Sequence, residues 1–276
     1  MENERNPQAE QMADESMVRC LSAQAAAVWP QESQLIDAYG LGGAIDVLDV
    51  ACGTGEITRR LAERFPEARV TGVDLVESHL ERGRASCAAF GERVRFEAGD
   101  AFALGFDDAS FDFTLCRHFL QAVPEPMRVL RELARVTRPG GRVHLVAEDY
   151  AMMHFHPVTL DTDRFWLEGP TEFARGTGTD LKIGRKAFTY LRELGFADVR
   201  VDYVIVDTVR VPRETFAAIW EAWRDGYTDV IAAHTRFSRE EVAAYWEEML
   251  ACIRNPRGYA VWMVPVVSGV AGPGGS

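Results

Sequence analysis

Short apolar runs alternate along the chain with longer segments in which apolar residues recur every three or four positions. The short runs are typical of buried β-strands, and the periodic segments are typical of amphipathic helices. Strands are predicted at residues 47–50, 69–74, 94–98, 111–116, 142–147, 199–206 and 259–267. Helices are predicted at residues 56–65, 76–90, 127–136 and 185–194, and over most of 214–253. This alternation indicates βαβ units and a mainly parallel sheet in an α/β fold.

The same pattern divides the chain into parts. In chain order these are an N-terminal helical leader at 1–40, a ligand-binding core at 41–150, a loop or lid insertion at 151–183, the rest of the sheet at 184–268 with a helical lid insertion at 212–256, and a disordered tail at 269–276. Within the leader, residues 1–14 are predicted to be disordered. A helix over 11–28 is predicted to end at Pro30, because proline interrupts the helical hydrogen-bond ladder.

Composition and charge narrow the class of protein. The 276 residues are 47% hydrophobic and carry a net charge of −12. This excess of acid disfavours a nucleic-acid partner, because phosphate binding needs clustered Lys and Arg. No secretory signal, membrane-spanning run or CxxC pair is visible, so we expect a reduced cytoplasmic protein without a structural metal. The expected binding partner is a small molecule, and a homo-oligomeric state is possible.

A glycine-rich turn follows the first predicted strand, in the segment VLDVACGTG that ends at Gly55. Glycine tolerates positive φ and lets a ligand approach the backbone, although a plain tight turn would use it too. The third glycine of a dinucleotide-binding GxGxxG motif would fall at Thr58. The Asp49 carboxylate would repel pyrophosphate, whereas it suits an amino group and a sulfonium. The turn therefore favours a cationic ligand over a dinucleotide.

Two further acids follow the next two predicted strands. Asp74 ends the second strand, at the edge where open α/β sheets bind ligands, and its carboxylate can accept hydrogen bonds from both ribose hydroxyls. A helix N-cap is the alternative role. Asp100 lies just past the third strand and can accept a bond from an adenine amino group, or act as an ordinary turn aspartate.

These three acids at successive strand ends, together with the glycine turn, resemble the class I S-adenosylmethionine (SAM)-dependent methyltransferases. The segments FDDASFD at 106–112, LREL at 130–133 and RPGGR at 138–142 are similar to the small-molecule branch of that family. The resemblance covers residues 46–148. It implies a Rossmann-like sheet of seven strands with an antiparallel last strand, SAM as cofactor and S-adenosylhomocysteine (SAH) as product.

The resemblance also implies which residues hold SAM. The turn from Ala51 through Gly53 to Gly55 would pack against the methionine part, with Asp49 just before it. The residues implied for the rest of the cofactor are Asp74 for the ribose, Leu75, Asp100 and Ala101 for the adenine, and the backbone of Cys116 for the amino group. Arg19 on the N-terminal helix is a candidate partner for the SAM carboxylate, with a solvated helix charge as the alternative.

Methyl transfer from a sulfonium is an in-line displacement, so holding the reactants collinear supplies most of the catalysis. A base is needed only where the acceptor must lose a proton. His118 and Glu148 are the candidates, because they follow the fourth and fifth predicted strands at the ligand edge. A hydrogen-bonded core histidine is the alternative for His118, and Glu148 is the better candidate for touching the substrate.

The two insertions are rich in aromatic residues and methionine, which predicts a lid over a flat apolar substrate. Packing of a helical subdomain is the alternative. The candidate substrate contacts are Trp29, Tyr150, His154, Trp166, Trp223 and Tyr227. His154 and His156 form an HxH pair, but no acidic partner at a telling spacing accompanies it, so no metal is predicted.

The sequence thus predicts an enzyme that methylates a small aromatic or heteroaromatic metabolite at carbon, nitrogen or oxygen, as in secondary metabolism. A quinone-precursor or sterol-like C-methyltransferase is the alternative within the same enzyme class. A nucleotide-binding oxidoreductase and a SAM-binding protein without catalysis are alternatives from other classes.

Overall fold

The computed structural model describes residues 14–272 of the chain. The strands are β1 Asp46–Val50, β2 Arg69–Asp74, β3 Val94–Ala98, β4 Phe111–Arg117, β5 Thr137–Val146, β6 Met153–His156, β7 Ala197–Asp207 and β8 Tyr259–Val270. The α-helices are α1 Glu15–Asp37, α2 Glu56–Arg64, α3 Glu77–Cys87, α4 Pro126–Val136, α5 Thr162–Thr177, α6 Gly184–Glu193, α7 Arg213–His234 and α8 Arg239–Arg254. Short 3₁₀ helices span Ala88–Arg93 and Leu120–Ala122.

The strands form one sheet in the order β3-β2-β1-β4-β5-β8-β6, with β7 pairing with β8. Strands β1 to β5 pair in parallel, and β8 runs antiparallel to β5, β6 and β7. Because β1 to β5 are parallel, their carboxyl ends meet at one edge, where ligands bind in open α/β sheets. The predicted α/β fold with a mainly parallel sheet and an antiparallel last strand is confirmed.

The described sheet has eight strands where seven were predicted. The additional strand, β6, lies in the segment predicted to be a loop or lid insertion. It pairs with the first residues of β8, from Tyr259 to Trp262, while β5 pairs with residues from Val266 onward. β8 is long enough to pair with both β5 and β6. A four-residue strand of this kind depends on a distant partner, so local patterning did not reveal it.

Helix α1 continues through Pro30 to Asp37, so the predicted end at Pro30 was wrong. The carbonyl oxygen of Pro30 still accepts a hydrogen bond from the side chain of Gln34, at 3.1 Å. The turns after Pro30 bury Glu32 and Ile36 completely. This packing offsets the backbone hydrogen bond that proline removes.

The C-terminal tail was predicted to start at residue 269, but β8 extends to Val270. Val270 pairs with Arg142 in the register of β5. Residues 273–276 and most of the predicted disordered leader, residues 1–13, lie outside the described part of the chain. Asp14 accepts a hydrogen bond from the backbone N–H of Ser16 and caps α1.

The two insertions are helical and pack on each other above the sheet. α5 belongs to the first, and α7 and α8 belong to the second. Their aromatic side chains, with residues of α1, β6 and β8, form one large buried cluster. Trp220, Trp246 and Phe165 are almost completely buried within it. The insertions therefore build an aromatic core of their own beside the ligand edge.

Candidate functional site

The turn after β1 is held in a left-handed backbone conformation. Ala51, Gly53 and Gly55 have φ angles of 58°, 53° and 75°. A Cβ atom on Gly55 would lie 2.7 Å from the Phe96 ring, so a larger residue would not fit there. Ala51 bears a side chain in this strained region, which is typical of functional sites.

Asp74 ties this turn to the next strand. Its carboxylate accepts hydrogen bonds from the backbone N–H groups of Gly53, at 2.8 Å, and Val76, at 2.9 Å. It therefore caps the approach to α3 and also holds the glycine turn. A carboxylate has about four lone-pair sites, so further acceptor capacity remains for a ligand.

Asp49 lies beneath the turn, almost completely buried. The hydroxyl of Thr58 donates a hydrogen bond to it at 2.7 Å. Burial raises the pKa of Asp49 to about 7, because the charged form is poorly solvated there. A cationic group bound beside it would favour the ionised form. Thr58, at the position of a dinucleotide motif's third glycine, thus supports the acid instead.

The turn borders a cavity of about 370 Å³, counting its open mouth, which we call the loop cavity. It is lined by Leu21, Gln24, Ala25, Asp49, Ala51, Cys52, Thr54, Glu56, Ile57, Arg117 and His118. Helix α1 supplies one wall, and the ends of β1 and β4 supply the opposite parts. Asp49 and Arg117 are thus an acidic and a basic side chain in the same lining, which also includes Glu56 and His118.

Arg117 is held by a buried ion pair. Its Nε and Nη2 atoms donate to the two carboxylate oxygens of Glu32, at 2.7 and 2.6 Å. Glu32 is fully buried on α1 and also lies 3.0 Å from Nε2 of His144. Burial would raise the pKa of Glu32, but the charges and hydrogen bonds of Arg117 and His144 outweigh it and bring the pKa to about 2. The pair ties α1 to the sheet and orients Arg117.

Arg19, predicted to meet a carboxylate of the ligand, lies elsewhere. Its guanidinium is mostly exposed and donates to Asp225 on α7 at 2.8 Å. Arg19 does not line the loop cavity. Arg117 is the arginine that does, and sequence reasoning missed it. Its position directly after Cys116, at the end of β4, is the signal that could have identified it.

The other residues predicted to bind SAM lie along the same edge of the sheet. Cys116 is the register partner of Val50, so its backbone ends beside the glycine turn. Leu75 is 51% exposed, although it is apolar. Asp100 accepts a hydrogen bond from the backbone N–H of Phe102 at 2.8 Å, as a turn aspartate does. Ala101 follows it and is partly buried.

His118 and Glu148 form a close pair across the ends of β4 and β5. Nδ1 of His118 lies 2.5 Å from Oε1 of Glu148, and the two side chains are 7% and 0% exposed. His118 has a φ of 51°, a strained conformation for a residue with a side chain. Its Nε2 atom and Oε2 of Glu148 are buried without a hydrogen-bond partner among residues 14–272. Such unpaired atoms are costly and often mark a ligand or catalytic position.

A second cavity lies beneath the helical insertions, with a volume of about 540 Å³ counting its open mouth. We call it the aromatic cavity. It is lined by Tyr150, Phe165, Trp166, Gly169, Pro170, Phe173, Leu181, Trp223, Tyr227, Ile231 and Trp246. The ring of Tyr150 stacks on Trp166, with centroids 5.8 Å apart, and meets Trp223 edge-on at 5.7 Å.

The His118–Glu148 pair borders the loop cavity and is connected through Trp262 to the lining of the aromatic cavity. His118 lines the loop cavity, and Glu148 is two residues before Tyr150 of the aromatic cavity. The ring of Trp262 lies 5.9 Å from that of His118 and 5.4 Å from that of Trp223. Burial, and then the charge of Glu148, raise the pKa of Tyr150 well above its ordinary value, so its hydroxyl stays protonated.

Four of the six predicted substrate contacts line the aromatic cavity, namely Tyr150, Trp166, Trp223 and Tyr227. Trp29 instead packs against the apolar cluster around β1 and α2. His154 is exposed on β6, and its Nδ1 lies 3.0 Å from Asp163. Ile231 was missed, although it continues the four-residue spacing of Trp223 and Tyr227 on α7.

Within the described residues, no group of three or more His, Cys, Asp or Glu side chains is placed to hold a metal ion. In the same part of the chain, the helices are too short or too polar to cross a lipid bilayer.

Part of the chain is similar to known methyltransferases. Residues 47–141 match a family model described as a methyltransferase domain. Demethylmenaquinone methyltransferase from Staphylococcus aureus is 38% identical over 117 residues, which are 42% of this chain and 47% of that protein. The chain thus spans about half the length of the curated relatives it matches. The matched segment contains the glycine turn, Asp49, Asp74 and Arg117.

Solved structures share the fold. One is phosphoethanolamine N-methyltransferase 2 from Haemonchus contortus, in complex with phosphomonomethylethanolamine and SAH. It has a TM-score of 0.57 and 21% identity, and the match covers 89% of this chain and 53% of that one. Geranyl diphosphate C-methyltransferase from Streptomyces coelicolor has a TM-score of 0.54 and 14% identity, covering 88% and 78%. The predicted Rossmann-like class I methyltransferase fold is confirmed.

Proposed function

We propose that this chain, which carries a methyltransferase domain at residues 47–141, transfers a methyl group from SAM to a small aromatic or heteroaromatic metabolite. The observation that carries the proposal is the His118–Glu148 pair, which borders the loop cavity and is connected through Trp262 to Trp223 of the aromatic cavity. One cavity offers charged groups and the other offers aromatic walls. This arrangement suits a cofactor on one side and an apolar acceptor on the other.

The polar groups in and beside the loop cavity would complement those of SAM. Asp49 would accept hydrogen bonds from the ammonium group, and Arg117 would face the carboxylate. Asp74 would bind the ribose, since its oxygens retain acceptor capacity. The exposed apolar side chain of Leu75 and the turn at Asp100 and Ala101 would border the adenine. The sulfonium supplies the methyl group for an in-line displacement.

The residues of the chain then position the acceptor and remove its proton. The aromatic walls hold the acceptor ring, which contributes the proximity on which methyl transfer depends. Neutral His118 would donate its Nδ1–H to Glu148, so that Nε2 can accept a proton from the acceptor as its bond to the methyl carbon forms. Glu148 would stabilise the resulting imidazolium. The acceptor atom can be oxygen, nitrogen or an activated ring carbon.

Calorimetry with SAM, SAH and NADH tests the cofactor assignment. We expect SAM and SAH to bind and NADH not to bind. Binding of NADH without SAM would overturn the proposal in favour of an oxidoreductase. The activity is tested by following SAH formation in the presence of metabolite extracts. SAM binding without SAH formation in any extract would indicate a binding protein that does not transfer methyl groups.

The S. aureus relative supports a second candidate, C-methylation of a quinone precursor. A reduced naphthoquinone ring is flat and apolar, as the aromatic cavity requires. The candidate is tested by supplying reduced demethylmenaquinone with SAM and analysing the product by mass spectrometry. A methylated ring carbon would establish it, and the absence of product alongside turnover of another metabolite would exclude it.

A further inference from the structure

Among residues 14–272, no charged side chain lines the aromatic cavity. Its lining consists of aromatic and aliphatic residues with glycine and proline, and its polar side-chain atoms are neutral hydroxyl and indole N–H groups. An ionised group moved from water into such surroundings loses its hydration without gaining a partner, which is costly. The lining therefore suits a ligand whose bound part is uncharged.

An acidic side chain lies close to Tyr150 of this lining. Glu148 is fully buried, and its Oε2 atom has no hydrogen-bond partner among residues 14–272. Two basic side chains lie near the rim, but both are engaged. Lys182 donates to the carbonyl oxygen of Leu167 and to Thr171, and Arg185 pairs with Asp149 at 2.5 Å. An anionic ligand would therefore lie near the carboxyl group of Glu148, and neither basic side chain is among the described residues that line the cavity.

The walls favour a planar ring. Trp166 stacks with Tyr150 and meets Trp246 in an edge-on arrangement, with ring centroids 5.8 Å apart in both pairs. Aromatic pairs prefer such stacked and edge-on arrangements, and a flat guest can take part in both.

The His118–Glu148 pair favours a ring that carries a hydrogen-bond donor. Nε2 of His118 is buried and unpartnered, while Nδ1 is engaged by Glu148. With Nδ1 protonated, Nε2 is an acceptor, and a hydroxyl group is the simplest neutral donor that would satisfy it. A ring held in the aromatic cavity would thereby be anchored through its hydroxyl group at His118.

We infer that the acceptor is an uncharged, planar hydroxyaromatic compound whose hydroxyl donates to His118 Nε2, and that phosphorylated or carboxylated compounds are excluded. The inferred acceptor class rests on the proposed function, because it assigns the aromatic cavity to the acceptor. It separates this chain from neighbours of the same fold, whose ligands include phosphomonomethylethanolamine and geranyl diphosphate.

Calorimetry on the full chain saturated with SAH tests the inference, with naphthol, naphthyl phosphate, naphthoate and naphthalene as probes. We expect naphthol to bind at least about tenfold more tightly than either anion, and more tightly than naphthalene. The His118→Phe variant should lose the preference for naphthol over naphthalene. Trp223→Phe should weaken all binding, whereas Trp29→Phe, outside the cavity, serves as the matched control and should not.

Three results would overturn the inference. They are equal or tighter binding of naphthyl phosphate, equal binding of naphthol and naphthalene to the unaltered chain, and absence of naphthol binding to a chain that binds SAH. None of these touches the cofactor assignment. Failure to bind SAH would instead count against the proposed function itself, so the two failures are distinguishable.

Discussion

Nδ1 of His118 lies 2.5 Å from Oε1 of Glu148, although the two residues belong to different strands and are 30 positions apart. The strand register makes the meeting possible. β4 pairs in parallel with β5, Arg117 opposes Val146, and the backbone N–H of His118 donates to the carbonyl oxygen of Val146. Both side chains therefore leave the same edge of the sheet at the same depth.

This pair yields a prediction about catalysis. Glu148→Gln keeps the side-chain shape but removes the charge that would stabilise an imidazolium, so we expect the methyl-transfer rate to fall by about 10²- to 10⁴-fold. SAM affinity should change by less than about threefold, since Glu148 does not line the loop cavity. Single-turnover kinetics and calorimetry measure the two effects. His154→Asn is the control on the exposed strand β6, and an unchanged rate in Glu148→Gln would contradict the assigned role.

A second prediction concerns the two arginines. Arg117→Lys retains a positive charge but loses the planar fork, so SAM should bind about tenfold more weakly. Arg19→Ala should leave SAM affinity unchanged, because Arg19 pairs with Asp225 outside the loop cavity. Calorimetry compares the SAM affinities of the two variants, and their melting temperatures are recorded to detect unfolding. Weaker binding in Arg19→Ala than in Arg117→Lys would favour the role predicted for Arg19 from sequence.

The raised pKa of Asp49 predicts a pH-dependent cofactor affinity. At a pKa of about 7, Asp49 is mostly protonated at pH 5.5, and only the ionised form attracts an ammonium group. We therefore expect SAM affinity to rise by about tenfold between pH 5.5 and 7, below the range in which an α-amino group of pKa about 7.7–8.0 loses its proton. Asp49→Asn should bind SAM weakly and without this pH dependence. A parallel rise in the variant would contradict the assignment.

The same pKa sets the sign of a stability effect in the ligand-free protein. Because the folded-state pKa lies above the ordinary value of 3.8, the contribution of Asp49 to stability is present below about pH 3.8 and is lost as the pH rises through about 7. The stability of Asp49→Asn, measured relative to the unaltered chain, should therefore be greater at pH 8 than at pH 5. Urea denaturation at the two values provides the measurement.

The buried ion pair predicts a large effect on folding. Glu32→Ala leaves the buried Arg117 without its partner, so the free energy of unfolding should fall by about 3–5 kcal/mol. Asp37→Ala on the same helix breaks an exposed pair with Arg64 and should cost at most about 1 kcal/mol. Urea denaturation of both variants at pH 7 compares them. Equal losses would show that Glu32 is not the residue that ties α1 to the sheet.

The pH dependence of this pair has the opposite sign to that of Asp49. The pKa of Glu32 is lowered to about 2 from an ordinary value of 4.5. Its contribution to stability is therefore present above about pH 4.5 and is lost as the pH falls toward 2. Glu32→Gln should remove this part of the acid-induced loss of stability, which acid titrations followed by circular dichroism would reveal.

The last prediction concerns the insertions as a substrate lid. Trp223→Phe reduces an aromatic wall of the cavity without emptying it, so acceptor affinity should fall several-fold while SAM affinity stays the same. Trp29→Phe, on the other side of α1, is the matched control. Titration with naphthol, or with an acceptor found by metabolite screening, supplies the measurement. A greater effect on SAM than on the acceptor would rule out the lid.

Much of the fold could be predicted because strands and helices carry their own periodicity. Burial on one face of a helix or strand repeats at a fixed spacing. The local sequence therefore predicts β1 to β5 and the glycine turn between β1 and α2. The three acids follow from the same pattern, since an aspartate at the carboxyl end of a parallel strand must lie near the ligand edge. Four of the six residues assigned to the substrate also line one cavity, because insertions near that edge cover it.

The sequence alone therefore establishes local features, namely the order of strands and helices, the turn with its acids, and the residue types near the ligand edge. Which of those residues come into contact depends on the tertiary fold. Arg117 rather than Arg19 lines the loop cavity because Glu32, 85 positions away, orients it from α1. Packing of Glu32 and Ile36 likewise carries α1 past Pro30, and β6 exists because β8 offers it an edge. Periodicity records whether a residue is buried, whereas the partner of a buried charge or edge strand is set by contacts between distant parts of the chain.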